Sequence, residues 1–391
     1  MTHQAIDKAL KKWYKPLMAV VCLGLMFGHM VSITPSLTVM HIFIVITASL
    51  ALLYKSTTYR IFLLTAGYFL FYGAWTLAVT LLWGDSITIK EALKFLTIPV
   101  LVIALLRVML ISPREMLGVF FYICIGYLVA MAAMGYAEHF TGWHMPTSAL
   151  YLADGEAKFQ ASGISYNPND YSVLLIMAAL YIFAYSLHFM DIRRHIIGYA
   201  AIVACLPIML WNDCRTGLGV SALALIWHFM TKIKRRNIKT AIIICTLVAI
   251  GIAVVTNWCI ISPRLQIYGT AFVSLYDSYG IGFGINGDKL YLSELNNYDI
   301  TKGITNAHSY LSQILFTSGL LVFLLYCVLT ATIIKRASST GRDLFVVMPI
   351  LYLLLLFSPS SSLYLWAHYL FFCIYVCYAA YATITDNKTT T

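Results

Sequence analysis

The chain has 391 residues, of which 61% are hydrophobic and only 11% charged. A soluble domain carries roughly 25% charged residues, so this composition excludes an ordinary water-exposed globular fold. The formal net charge of +10 would suit nucleic acid, but the cations sit in short clusters between apolar runs, which argues against a nucleic-acid-binding face.

A membrane-spanning helix needs about 20 mostly apolar residues. Twelve runs are candidates, at 16–33, 37–54, 61–83, 95–111, 116–137, 171–189, 196–212, 217–230, 240–261, 309–334, 343–358 and 361–384. They are continuous rather than alternating, which predicts helices and not a barrel. The first follows a basic segment and is succeeded at once by a second, so it reads as a span and not as a cleavable signal. The expectation is an all-α, polytopic integral membrane protein of about twelve transmembrane helices. It forms a single transmembrane domain over residues 1–391, with short helices in an outer loop region. With both termini inside, nineteen of the 26 Lys and Arg residues fall in inner segments, and every inner connection is basic. The run TKIKRRNIK (231–239) then reads as an anchor beside anionic lipid. The nine cysteines lie mostly in apolar runs. Cys373 and Cys377 share a helix face at i, i+4, but no His or acidic residue joins them, so packing explains them better than metal binding.

Two outer connections are too long to be simple turns: 138–170 and about 262–307. Loops of this length are usually functional or disordered. Their richness in Tyr, Phe and Gly disfavours disorder. In the second, SPRLQIYGTAFVSLY reads as an interfacial helix, with Leu265, Tyr268, Phe272 and Tyr276 recurring at helical spacing and Pro263 in its first turn. YGIGFGING packs four glycines into nine residues, which demands a tight turn or a close backbone approach.

Arg215 and Arg264 border spans on the outer side. An arginine near hydrocarbon costs roughly 2.5–3.5 kcal/mol at mid-helix, so it tends to be paired or functional. Arg215 either snorkels, pairs with Asp213, or binds an anionic headgroup, since guanidinium grips phosphate with two prongs. His308 has two readings as well. Asn306 caps the tenth span and His308 sits in its first turn as a polar residue, or His308 removes a proton from a hydroxyl near neutral pH.

RTGLGVSALAL (215–225), PRLQIYGTAFVSLYDSYGIGFG (263–284) and NAHSYLSQILFTSG (306–319), in this order, resemble the O-antigen ligase and polysaccharide polymerase superfamily of bacterial membrane glycosyltransferases. They match that family's Arg-Thr start of a mid-chain span, its Arg, aromatic helix and Gly-x-Gly segment, and its Asn-x-His opening followed by Gly319. SGISYNPNDYSVLL (162–175) is similar to an Asn-Pro-Asn start of a span in many members. The likeness covers roughly residues 160–325. Val322 stands where ligases commonly have a second glycine.

The resemblance implies a metal-independent, inverting membrane glycosyltransferase that needs no cofactor. Its donor is a glycan on undecaprenyl diphosphate at the outer, periplasmic face of the bacterial plasma (inner) membrane. The catalytic residues implied are His308, Arg215 and Arg264. Arg215 and Arg264 hold the diphosphate, and His308 orients or deprotonates the acceptor hydroxyl. Asn306, Tyr268, Asn167 and Asn169 are the further substrate-binding candidates. The leading expectation is polymerisation of surface polysaccharide repeat units. The alternative is an O-antigen ligase acting on lipid A core, and a flippase or transporter comes third. Against a transporter stand the lack of a repeat between the two halves and the clustering of charge at the outer face. The implied partners are the lipid-linked donor, an acceptor glycan that is a lipid-linked repeat or lipid A core, membrane lipid and a chain-length regulator protein, with no nucleic acid.

Overall fold

The computed structural model describes residues 3–28, 32–34, 37–53, 59–83, 88–144, 161–163, 167–256, 258–296, 307, 309–340, 344–357 and 366–389. Among them the regular secondary structure is helical apart from one small antiparallel ladder, Ser32–Thr34 (β1) against Leu37–Thr38 (β2). The helices are His3–Phe27 (α1), Val39–Leu53 (α2), Arg60–Trp83 (α3), Ile89–Met109 (α4), Pro113–Thr141 (α5), Pro168–Phe189 (α6), His195–Trp211 (α7), Arg215–Lys232 (α8) and Arg236–Thr256 (α9). They continue with Trp258–Asp277 (α10), Gly287–Asn296 (α11), Tyr310–Ala337 (α12), Leu344–Leu355 (α13) and Trp366–Thr389 (α14).

Each predicted apolar run coincides with a helix: α1 to α9 in order, then α12, α13 and α14. Seven helical stretches among the described residues are long and apolar enough to cross a membrane: α3, α4, α5, α6, Ile192–Trp211, α12 and Trp366–Asp386. Helices α2 and α13 are apolar but have 15 and 12 residues. At about 1.5 Å per residue they fall short of the roughly 30 Å hydrocarbon layer. Two boundaries depart from the sequence expectation. Helix α4 begins at Ile89, well before the apolar run, because Thr88 and Glu91 form a capping box that stabilises a charged first turn. The run 240–261 is divided between α9, which ends at Thr256, and α10, which begins at Trp258. Arg264 therefore belongs to α10 and not to the end of the ninth span.

Helices α6 and α14 lie deepest, with 78% and 83% of their apolar windows buried, against 33% for the stretch holding α7. Their sequences are apolar around the whole circumference, which suits a helix enclosed on all sides. Rings interlock around them: Phe345 stacks on Tyr378 at 4.3 Å, and Phe120 meets Tyr181 edge-on at 4.9 Å. A buried hydroxyl needs a partner in such a core. Tyr171 donates to the Met131 carbonyl (2.7 Å) and Tyr181 to that of Leu117 (2.8 Å).

Consecutive spans alternate in direction, so the bundle has two ends. One carries the cations of the short connections, among them Arg193, Arg194, Lys232 and Arg236. The other gathers both long loops and is called the loop end below.

Helix α12 is broken ten residues in. Gly319 takes φ 75° and ψ −169°, a conformation only glycine adopts readily. The break deprives the carbonyls of Phe316, Thr317 and Ser318 of their helical donors. The N–H groups of Phe283 and Gly284 supply the first two, at 2.7 and 2.9 Å, and the Trp75 indole supplies the third at 2.9 Å. The Leu320 N–H donates back to the Gly280 carbonyl (2.9 Å). A break in a membrane helix is tolerated where neighbouring chain re-satisfies the backbone, and here YGIGFGING does so.

Candidate functional site

At the loop end, α10 lies against α12, and its small or branched residues Ile267, Ala271 and Ser274 are buried. Of the predicted stripe, Leu265, Phe272 and Tyr276 are exposed, while Tyr268 turns partly inward against Phe357. Small residues bring the backbones close. Ile267 and Ala271 then join Leu292 of α11, Leu315 and Phe316 of α12, and Ala307 in a satellite cluster. This packing fixes residue 307, just before the start of α12, against the helix that carries Arg264.

The same unit holds a buried carboxylate. Asp288 opens α11 and is 4% exposed. The Gln313 side-chain amide donates to it at 3.2 Å. Burial pushes its pKa above the ordinary carboxylate value, with the Gln313 bond opposing that rise. Nearby, Tyr291 stacks on Phe283 (5.0 Å) and donates to Asp277; burial and that bond raise its pKa and keep the phenol protonated. A cavity of about 530 Å³ opens beside Leu275, Tyr276, Asp277 and Tyr279. Tyr279 has φ 52° and is 88% exposed, so a bulky ring is held outward on strained backbone.

The first long loop is tied down by side chains. Glu138, buried in the last turn of α5, accepts the N–H groups of Ser162 and Gly163, both at 2.8 Å. The Asn212 amide donates to the Ala161 carbonyl (2.6 Å) and to Ser172 (2.9 Å) in the first turn of α6. Asn212 ends α7, and Asp213 turns the chain in the left-handed region at φ 49° before α8 begins at Arg215.

The candidate residues fall into three groups. Arg215 is described and exposed, and its guanidinium grips Asp213 with two prongs, Nε to Oδ1 at 3.0 Å and Nη2 to Oδ2 at 3.1 Å. The pairing option for Arg215 is thus the geometry present. It is also the geometry in which guanidinium receives a phosphate. Asn167 caps α6, its side chain accepting the Asn169 N–H at 2.8 Å, so one of its acceptors serves the helix. Tyr268 is half-buried, its ring edge-on to Phe357 at 5.4 Å. Arg264 is placed in α10, one turn before Tyr268, while its side chain lies outside the described residues. Asn306 and His308 lie outside the described residues, between and beside the described Ala307 and Ser309.

One expectation is corrected here. The N-cap of α12 is Ser309, extended at φ −161° and ψ 133°, with its hydroxyl accepting the Ser312 N–H. A serine with extended dihedrals is a preferred cap. Asn306 is therefore not the cap, and His308 precedes the helix instead of sitting in its first turn.

Helix α13 links these groups. It packs on both α8 and α12, running opposite to each. Its end brings the Leu356 carbonyl to the Tyr310 N–H (3.3 Å) and Phe357 to Tyr268. Hence the start of α12 and the middle of α10 meet at the end of α13, while the start of α8 lies at the same end of the bundle, beside the Asn212 and Ala161 contact. Among the described residues no group of three or more His, Cys, Asp or Glu is placed to hold a metal ion.

Three residues of this end escaped the sequence reading. Glu138 had a signal: an acid in the last turn of a helix opposes the macrodipole and calls for a reason. Asn212 closed an apolar run, where a polar residue reads as an ordinary turn. Asp288 follows a glycine and reads as an ordinary exposed helix start.

No family model matches the chain. It is 23% identical over 348 residues to the teichuronic acid biosynthesis protein TuaE of Bacillus subtilis, taking in 79% of this chain and 71% of that one.

Proposed function

We propose that this membrane protein acts in cell-surface polysaccharide biosynthesis. In this reading it polymerises repeat units carried on undecaprenyl diphosphate at the outer face of the plasma membrane, as an inverting glycosyltransferase that uses no metal. The likeness to a teichuronic acid biosynthesis protein supports the polysaccharide role. The observation that supports the rest is the packing of the helix bearing Arg264 against residue 307, beside His308, at the same end of the bundle as the start of α8 with Arg215.

In the reaction the acceptor hydroxyl oxygen attacks the anomeric carbon of the donor as the bond from that carbon to the phosphate oxygen breaks. Undecaprenyl diphosphate leaves, and the hydroxyl proton passes to His308. Arg215 exchanges Asp213 for a phosphate, and with Arg264 it stabilises the charge growing on the leaving group. Tyr276 and Tyr279 offer exposed ring faces for the C–H surfaces of sugars. A broken helix is also a transporter feature, but there the freed backbone faces the cargo. Here the freed carbonyls of α12 are filled by the protein's own glycine loop and Trp75.

The test supplies purified full-length protein in vesicles with a lipid-linked repeat unit as the sole glycan. The expected product is a ladder of lengthened glycans, with one undecaprenyl diphosphate released per bond. Arg215→Lys keeps the charge and loses the fork, and should slow turnover by about 10²-fold. Transfer only after lipid A core is added means a ligase. Movement of lipid-linked glycan across the bilayer without bond formation means a transporter and overturns the reading.

A further inference from the structure

A second cavity, of about 330 Å³, lies at the cation end of the bundle, where α6 and α8 finish and α7 and α13 begin. Helices α6, α8 and α13 pack on one another there, and α7 packs on α6 and α8. The lining includes His188 of α6, His195 of α7, His228, Thr231 and Lys232 of α8, and Leu344 of α13. Among the described residues it holds no carboxylate, and Asp191 in the connection from α6 to α7 stands outside it. Part of this basic set has an ordinary reason. His188 and Lys232 occupy the last turns of their helices, where a cation complements the helix dipole. His228 does not share that reason, being one turn earlier and 8% exposed. Its Nε2 meets the Tyr199 hydroxyl at 2.9 Å, while its Nδ1 has no hydrogen-bond partner among the described residues. A polar atom in so buried a side chain is costly to leave unpaired. His195 places Nε2 against the Met190 carbonyl at 3.2 Å. A carbonyl only accepts, so the proton is on Nε2, and Nδ1 becomes a second donor when the ring is protonated.

We propose that this cavity is a phosphate-binding site, in which Lys232, His195 and His228 hold the phosphate group of a phospholipid headgroup or of a soluble phosphate ester. Cationic donors without an acid among them select an anion. They come from two helices and from different sides of the cavity, which suits a tetrahedral phosphate better than a flat carboxylate. The volume lies near the low end of the roughly 300–1,000 Å³ of small-molecule pockets, enough for a headgroup and not for a long glycan. Basic pockets between helix ends are also where membrane proteins receive lipid phosphate. The site differs from a general electrostatic anchor, because Lys232 alone among the cations of 231–239 lines the cavity. It lies at the opposite end of the bundle from Arg215, so its ligand is not the donor diphosphate. The inference therefore stands apart from the glycosyl-transfer reading.

The test uses purified full-length protein in an uncharged detergent and follows its melting temperature. One arm adds phosphatidylglycerol, with diacylglycerol as the control that lacks phosphate. The other adds glycerol phosphate, with potassium chloride at equal ionic strength as control. A ligand that binds the folded state raises the melting temperature with its concentration. A saturable rise in either phosphate arm is the expected result. A rise with phosphatidylglycerol alone makes the occupant a lipid headgroup, and a rise with glycerol phosphate makes a soluble ester sufficient. No rise beyond the controls in either arm overturns the proposal. Lys232→Gln should weaken the apparent affinity by about 10-fold, the usual scale for a hydrogen bond to a charged group. Lys234→Gln removes the same charge two residues away, outside the cavity, and should stay within about twofold of wild type. Equal losses in the two variants would mean diffuse surface charge and overturn the site. Where Lys232→Gln fails to fold, His195→Gln replaces it in the same comparison with Lys234→Gln and should weaken affinity by about threefold or more.

Discussion

The two long loops are held in different ways. Among the described residues the first is held by side chains reaching for backbone: Glu138 accepts from Ser162 and Gly163, and Asn212 donates to Ala161. The second has such tethers too, from Trp83 and Thr80, and adds a lock of backbone on backbone, where residues 280–284 fill the break in α12. Side-chain tethers reach across a few ångströms and leave room for variation. The backbone lock requires contact so close that a Cβ has no place. A Cβ on Gly282 would lie 2.7 Å from the Gly319 nitrogen, and one on Gly319 would collide with the Gly280 carbonyl oxygen. The first anchorage is therefore sensitive to polarity and the second to volume, and the second supports the unit that holds Ala307.

The largest effect expected from this contrast is at the glycines. Gly319→Ala meets both a collision and a φ of 75°, and strain of this kind alone costs about 1–3 kcal/mol. The folded, monodisperse fraction recovered from membranes should fall sharply for Gly319→Ala and Gly282→Ala. Near-normal recovery and melting of both variants would break the claim that the lock is steric.

Next come the side-chain tethers. Glu138→Ala strands two N–H groups that are buried in the wild type, and Asn212→Ala strands one carbonyl. A buried polar group left unsatisfied costs about 1–3 kcal/mol, so Glu138→Ala should lower thermal stability more than Asn212→Ala. Both should melt above the glycine variants. The reverse order between Glu138→Ala and Asn212→Ala would show that charge at Glu138 opposes folding more than its bonds favour it.

The smallest effect is a pH dependence. The folded pKa of Asp288 lies above its unfolded value, so the folded state takes up a proton more readily. Its ionised form weakens the fold at pH above the raised pKa, and that penalty is relieved as pH falls through it toward the ordinary carboxylate range. Asp288→Asn lacks this dependence. Melting of wild type and variant at a series of pH values should show the difference shifting in favour of wild type on acidification. A constant difference across that window would mean that Asp288 is not desolvated as its 4% exposure requires.

Local chemistry determined much of this protein from the sequence alone. Apolar run length sets where helices form, because a backbone away from water must satisfy its own hydrogen bonds, and each of the twelve runs contains a helix among the described residues. The spacing within 263–276 marked α10, and the glycine density of 279–287 marked a close backbone approach. Tertiary structure alone decided what each glycine approaches and which polar groups become paired. Trp75 and Ser318 are 243 positions apart, Trp83 and Gly282 199 apart, and Glu91 and Asn286 195 apart. The choice of Ser309 over Asn306 as the cap of α12 belongs here as well, as does the burial of Asp288. Both depend on where α11 and α13 lie against that helix, and no periodicity within a short stretch of chain records the distance between elements that meet only after folding.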